Sequence, residues 1–136
     1  NLKLKGITPI LAHPERYRVF HQNMDDLEKC IDMGVILQID AGSLLGHFGE
    51  KTKNISLKML SKGFCHIIGS DAHNDRKRNF CLKEAYDFID SHDSDAVKLL
   101  KNNSFSLIEG ENDLNKVKLK IKSSFFKSLK DKFKIT

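Results

Sequence analysis

Asp71 and His73, two residues apart in "IIGSDAHNDRKRNF" (67–80), end an otherwise apolar run, and Arg76 and Arg78 follow close behind. In an extended segment, side chains at i and i+2 leave the chain on the same side, so this carboxylate and imidazole can converge on one ion. A hard anionic oxygen beside a borderline nitrogen suits Mn, Fe or Zn better than Ca. The plainer alternative is a helix-capping Asp71 next to a solvated His73. His13, in "LAHPERY", is a further candidate ligand: Pro14 stops the strand there, and Arg16 follows within reach of the same pocket. An arginine fork beside metal ligands suits a phosphate ester, whose oxygens it binds in a bidentate way, and Arg78 is a candidate second clamp. Against this stand the default roles: a hydrogen-bonded core histidine at 13, and solvated or salt-bridged arginines at 16 and 78.

The other histidines carry weaker signals. His66 lies inside an apolar run and reads as buried and satisfied. His92, in "DSHDSD", reads as part of a helix–helix turn, and His21 has no distinguishing context. His47 lies among Gly42, Gly46 and Gly49, a stretch that permits close backbone approach to a site.

Three short apolar runs must position these groups. "ITPILA" (7–12), "VILQID" (35–40) and "CHIIGS" (65–70) are each too continuous in apolar residues for a strand with one wet face. They run into His13, into Asp40 and Ser43, and into Asp71 and His73. Between and after them lie helical patterns. "NMDDLEKCIDMG" has Asn23 as its expected N-cap and Gly34 as its stop, and "TKNISLKMLSKG" ends at Gly63. "NFCLKEAYDFIDS" and "SDAVKLLKNN" follow, the second capped by Ser94. Strand and helix in this alternation predict parallel strands with right-handed crossovers, hence an α/β layered or barrel fold. In such folds the C-terminal edge of the strands is where active sites are built.

Composition sets the limits. A chain of 136 residues with 40% hydrophobic and 30% charged residues can bury one modest core. No run has the roughly 18 to 20 apolar residues needed to cross a bilayer, and "NLKLKGITPI" lacks the apolar core of a secretion signal, so a cytoplasmic location is expected. Cys30, Cys65 and Cys81 form neither a disulfide framework nor a zinc knuckle, and none starts a Cys-x5-Arg phosphate loop. The net charge of +5 is uneven: the segment 114–136 holds eight lysines against Asp131, leaving the body slightly acidic. The body is therefore not a basic nucleic-acid binder, the tail being a separate matter, and no nucleic-acid partner is expected.

"PILAHPERY", "LQIDAGSLLGHFG" and "IIGSDAHNDRKRNF", in this order and at these spacings, resemble the C-terminal half of bacterial PHP-superfamily tyrosine phosphatases of the CpsB/CapC/YwqE type. The resemblance spans about residues 6–110. It implies part of a distorted (β/α)7 PHP barrel with parallel strands over residues 1–112, followed by a basic amphipathic C-terminal tail over 113–136. It also implies a cluster of divalent metals, Mn foremost with Fe, Co, Zn or Mg as alternatives, and hydrolysis of phosphotyrosine on a bacterial tyrosine kinase of capsule or exopolysaccharide synthesis. By motif, His13, Asp71 and His73 would be metal ligands, and Arg16 and Arg78 the catalytic phosphate-binding arginines. Asp40 stands where many members have Asn, so its role is open. The family's opening His-x-His motif lies upstream of the matched region, and the chain reads as half a barrel, to be completed by more of the same protein or by another chain. Two alternatives remain: another PHP phosphoesterase, such as a histidinol-phosphate phosphatase, or an inactive remnant acting as a binding module. A homo-oligomer is compatible with either.

The tail's "KVKLKIK" alternates with period two, yet Leu114, Val117, Ile121, Phe125, Leu129 and Phe133 also fit a helical stripe. A basic amphipathic segment of this kind suits peripheral contact with an anionic membrane, or a terminal helix docked on the barrel with lysines outward.

Overall fold

A computed structural model describes residues 2–73 and 80–120. The three apolar runs form three parallel strands, β1 (Ile10–Ala12), β2 (Ile36–Asp40) and β3 (Ile67–Gly69), in the order β1-β2-β3. Ile10 pairs with Ile36 and Asp40 with Gly69, so the C-terminal ends of all three strands lie along one edge. Among the described residues six α-helices accompany them: α1 (Arg18–Gln22), α2 (Asp25–Asp32), α3 (Ala41–Leu45), α4 (Glu50–Lys62), α5 (Leu82–Asp90) and α6 (Ser94–Ile108). The α/β class and the parallel sheet agree with the sequence reading.

Apolar spacing explains the packing. Leu57 and Leu60 of α4, Ala85 and Ile89 of α5, and Ala96, Val97 and Leu100 of α6 recur at three- and four-residue intervals, and all are buried. They close over Leu37 and Ile39 of β2 and Ile68 of β3 in one cluster. Gly63 ends α4 in the left-handed conformation at φ 80°, with its N–H on the Leu60 carbonyl. Cys65 and Cys81 are buried in this core, where desolvation pushes both thiols up, so neither is a ready nucleophile.

The structure corrects several local expectations. Asn23 bonds through its backbone, its carbonyl accepting from the Asp26 amide and its own amide donating to the Val19 carbonyl, and α2 has no side-chain cap. The cap of α6 is Asp93 rather than Ser94, its carboxylate accepting from the amides of Asp95 and Ala96. β2 is buried on both faces, whereas β1 is half exposed, with Ile10 at 45%, because no described element covers its outer side. The tail's helical stripe gains no support over residues 111–120, which are neither helix nor strand. They form a strap with period-two burial: Val117 and Leu119 point in, while Lys116, Lys118 and Lys120 point out. Backbone bonds from Val117 to the Cys65 carbonyl and from Leu119 to the Leu60 carbonyl hold it. The strap thus crosses the end of the sheet where β3 begins. Arg78 and the remainder of the tail, 121–136, lie outside the described residues.

His66 is buried and satisfied, as its context predicts: its Nδ1 accepts from the Leu37 amide at 3.0 Å, leaving the proton on Nε2. Its carbonyl accepts from Asn103 of α6 at 2.8 Å, and the same buried amide pairs with both the carbonyl and the N–H of Asn115. One side chain therefore ties α6, β3 and the strap together.

Candidate active site at the strand C-termini

His13 follows β1, Asp40 ends β2 and Asp71 comes two residues after β3, so the sheet delivers all three to its C-terminal edge. Among the described residues, His13 (φ 41°) and Asp71 (φ 44°) are the non-glycine positions with positive φ. Left-handed backbone costs a residue with a Cβ roughly 1–2 kcal/mol. Strain of this sort persists where a side chain must be aimed, and here it falls on two of the residues singled out for chemistry. His13 is anchored by its amide, which donates to the Gln38 carbonyl at 2.8 Å. Pro14 then opens a single 3₁₀ turn over Pro14–Arg16, which turns Arg16 back over the edge.

Arg16 is the electrostatic hub. Its Nη1 donates to Asp71 Oδ2 at 3.0 Å and to Asp40 Oδ2 at 3.5 Å, and the face of its guanidinium lies 4.4 Å from the centre of the Phe48 ring. Asp40 is almost fully buried, and its other oxygen caps α3 by accepting from the Gly42 amide at 2.8 Å. Burial raises the Asp40 pKa above the usual carboxylate value; the Gly42 bond opposes this, the Asp71 charge adds to it, and Arg16 and His13 oppose it. His13, Arg16 and Asp71 therefore all lie within the electrostatic reach of Asp40. A Cβ at Gly42 would come within 3.2 Å of both Phe48 and His47, so a larger residue there requires those rings to shift.

The backbone at Asp71 is left-handed rather than extended, and His73 Nδ1 lies 3.8 Å from the Asp71 carboxylate. His73 Nδ1 donates to the Asp71 carbonyl at 2.7 Å, which leaves the lone pair on Nε2, and the imidazole is 55% exposed. His13 Nδ1 is buried and finds no hydrogen-bond partner among the described residues.

One residue carried no sequence signal of its own. Glu15 is fully buried beneath the rim, its Oε1 accepts from the Asp40 amide at 3.0 Å, and its Oε2 has no partner among the described residues. Burial pushes its pKa from 4.5 up to about 7, against smaller opposing pulls from the nearby Ser43 hydroxyl and the Asp40 amide. A buried carboxyl flanked by a proline and an arginine resembles any solvent-facing turn residue in sequence; only its place between two candidate site residues marks it. His21 sits beside it, Nε2 donating to the Glu15 carbonyl at 2.6 Å.

The buried His13 Nδ1 and Glu15 Oε2, without hydrogen-bond partners among the described residues and each within electrostatic reach of Asp40, are donor types that a divalent cation takes. Among the described residues, however, no three His, Cys, Asp or Glu side chains stand together as a complete metal-holding group.

A family model described as "Capsular polysaccharide synthesis, CpsB/CapC" matches residues 1–109, a stretch that includes every residue of this rim. The chain belongs to the CpsB/CapC family. Two relatives share 85 matched residues covering 62% of this chain: CapC of Staphylococcus aureus at 45% identity, and the tyrosine-protein phosphatase YwqE of Bacillus subtilis at 42%. The fold matches one of the crystal structures of YwqE from Bacillus subtilis and CpsB from Streptococcus pneumoniae, described as metal-dependent tyrosine phosphatases. The TM-score is 0.78 at 32% identity, over 88% of this chain and 49% of that one. This CpsB/CapC chain spans about a third of the length of the first two relatives, whose matched shares are 33% and 34%.

Proposed function

We propose that residues 1–112 form the C-terminal half of a PHP-type phosphatase domain, a distorted (β/α)7 barrel, and that the complete protein is a metal-dependent protein-tyrosine phosphatase. Its substrate is a phosphotyrosine-bearing bacterial kinase of capsule or exopolysaccharide synthesis, and it works in the cytoplasm. The observation that carries this reading is the meeting of His13, Asp40 and Asp71 at the ends of neighbouring parallel strands, two of them on left-handed backbone, with Arg16 drawn between the acids. The names of the relatives supply the substrate class.

His13, Asp71 and His73 would hold the metal, Mn foremost with Fe, Co, Zn or Mg as substitutes, and further ligands would come from outside this segment. When bound, such ions supply Lewis acidity that favours ionisation of an attacking water near neutral pH. This chain's own residues orient and neutralise. Arg16 is held by Phe48 and two carboxylates, so the fork is in place before a phosphoryl group arrives and its remaining N–H groups can bind the equatorial oxygens. Arg78 would supply a second fork. Glu15 fixes the Asp40 backbone through its amide, and with it the spacing of the β1 and β2 ends. The phenolate of tyrosine is a tolerable leaving group, and no covalent phosphoenzyme is required.

No helix among the described residues is long and apolar enough to cross a membrane, and the tail's lysines would give the protein a peripheral contact with anionic lipid. The deciding experiment uses the protein as its gene encodes it: hydrolysis of a phosphotyrosyl peptide that is lost on chelation and restored by Mn. Absence of hydrolysis with every one of the five metals would reject the reading.

A further inference from the structure

Two aromatic side chains stand at the rim, and only one is committed. Phe48 carries the Arg16 guanidinium at 4.4 Å on its face and packs so near Gly42 that a Cβ there would meet it at 3.2 Å. Tyr17 is different. It follows Arg16 directly, its ring lies 5.5 Å from the His13 ring at 46°, and it meets Phe20 edge-on at 6.4 Å. Those two contacts fix its orientation, yet Tyr17 remains 41% exposed.

We propose that Tyr17 is a specificity-determining residue, offering its part-exposed ring to the aryl group of the phosphate ester. The inference rests on the phosphatase reading above. A phosphoryl group bound by Arg16 beside His13 must direct its ester substituent away from the buried carboxylates of Asp40 and Glu15, toward solvent. Tyr17, its ring 5.5 Å from that of His13, flanks that exit on the His13 side. A phenyl ring leaving there can stack or pack edge-on against Tyr17 at the usual centroid separations of roughly 4.5–7 Å, whereas an alkyl ester presents no such face. Pairs of this kind correspond to about a 3- to 10-fold preference in binding. Phe48 is already engaged on one face by the guanidinium, which makes Tyr17 the better placed of the two.

The test is calorimetric binding of phenylphosphonate and of methylphosphonate to the gene-encoded protein loaded with Mn. The wild type binds phenylphosphonate more tightly. Tyr17→Leu narrows that preference by about 3- to 10-fold, and Tyr17→Phe retains it. Tyr17→Ser, which removes the ring with less added apolar surface, gives the same narrowing. Equal weakening of both phosphonates in Tyr17→Leu and Tyr17→Ser would overturn the proposal, leaving Tyr17 as packing for His13. So would a wild type without phenyl preference. Neither result touches the phosphatase reading, which stands or falls on hydrolysis of the phosphotyrosyl peptide.

Discussion

Asp71 and Arg16 are opposite halves of one interaction, and their substitutions should fail in different ways. Asp71→Asn removes a proposed ligand charge together with the partner of Arg16 at 3.0 Å. In the complete protein we expect bound metal to fall and turnover to drop by about 100-fold or more, measured by elemental analysis and phosphotyrosyl-peptide kinetics. Normal metal content and rate would remove Asp71 from the ligand set. Arg16→Ala leaves the carboxylates in place, so metal should be retained while kcat/KM falls about 10- to 100-fold, the worth of charge-assisted hydrogen bonds to the phosphoryl oxygens. Unchanged kinetics would contradict that role. Both residues were legible as candidates in the sequence, Asp71 as a charge ending an apolar run and Arg16 by its place after His13 in "LAHPERY". The left-handed backbone beneath His13 and Asp71 was not legible, since nothing in a side-chain pattern reports φ. Glu15 was missed for a related reason: its burial follows from the Pro14 turn folding beneath the strand ends, a tertiary event.

The strands and the four longer helices follow from periodicity and glycine stops, and the errors lie at their ends. Asp93 captures the cap of α6 because its carboxylate reaches two amides where the Ser94 hydroxyl would be one residue too far along. The strap illustrates a different limit, because period two in "KVKLK" does mark its inward and outward residues although it pairs with no strand. Its hold depends on Asn103. Asn103→Leu would leave the His66 carbonyl and both backbone groups of Asn115 without their partner, costing about 2–3 kcal/mol in urea unfolding, while Asn102→Leu on the exposed face should cost little. Similar midpoints for the two variants would show that the strap is held by apolar contact alone. His66 gives the same region a pH dependence. Burial lowers its pKa below 6.5, with Lys116 adding to the shift, so above pH 6.5 it is neutral whether folded or unfolded. As pH falls below 6.5, the unfolded chain takes up a proton that the folded one resists, and stability declines until the lower folded pKa is passed. His66→Gln should lack this component. Comparing the two proteins at pH 7.5 and 5.5 isolates it, and parallel losses on acidification would refute it.

At the scale of the molecule, the exposed outer side of β1 is the conspicuous feature. Ile10 is 45% exposed on a strand whose second edge meets no described element, and Ile7 and Leu4 beside it are also open. Unpaired edges of this kind recruit further strands. The segment 1–136 expressed alone should therefore self-associate, and Ile10→Lys should reduce this in sedimentation velocity; a monomer at high concentration would show that the edge is already protected. The sequence predicted parallel strands but not which of them would be bare, since exposure depends on neighbours that no local pattern encodes.

The strap has a practical corollary. By the time the chain reaches Lys120, whose amide donates to Asp93 at the start of α6, it has crossed the end of the sheet where β3 begins, whereas Arg16 meets Asp40 and Asp71 where the strands end. A fluorophore or affinity handle coupled at position 120 itself would therefore sit at the base of the sheet, leaving the rim of His13, Asp40 and Asp71 unencumbered.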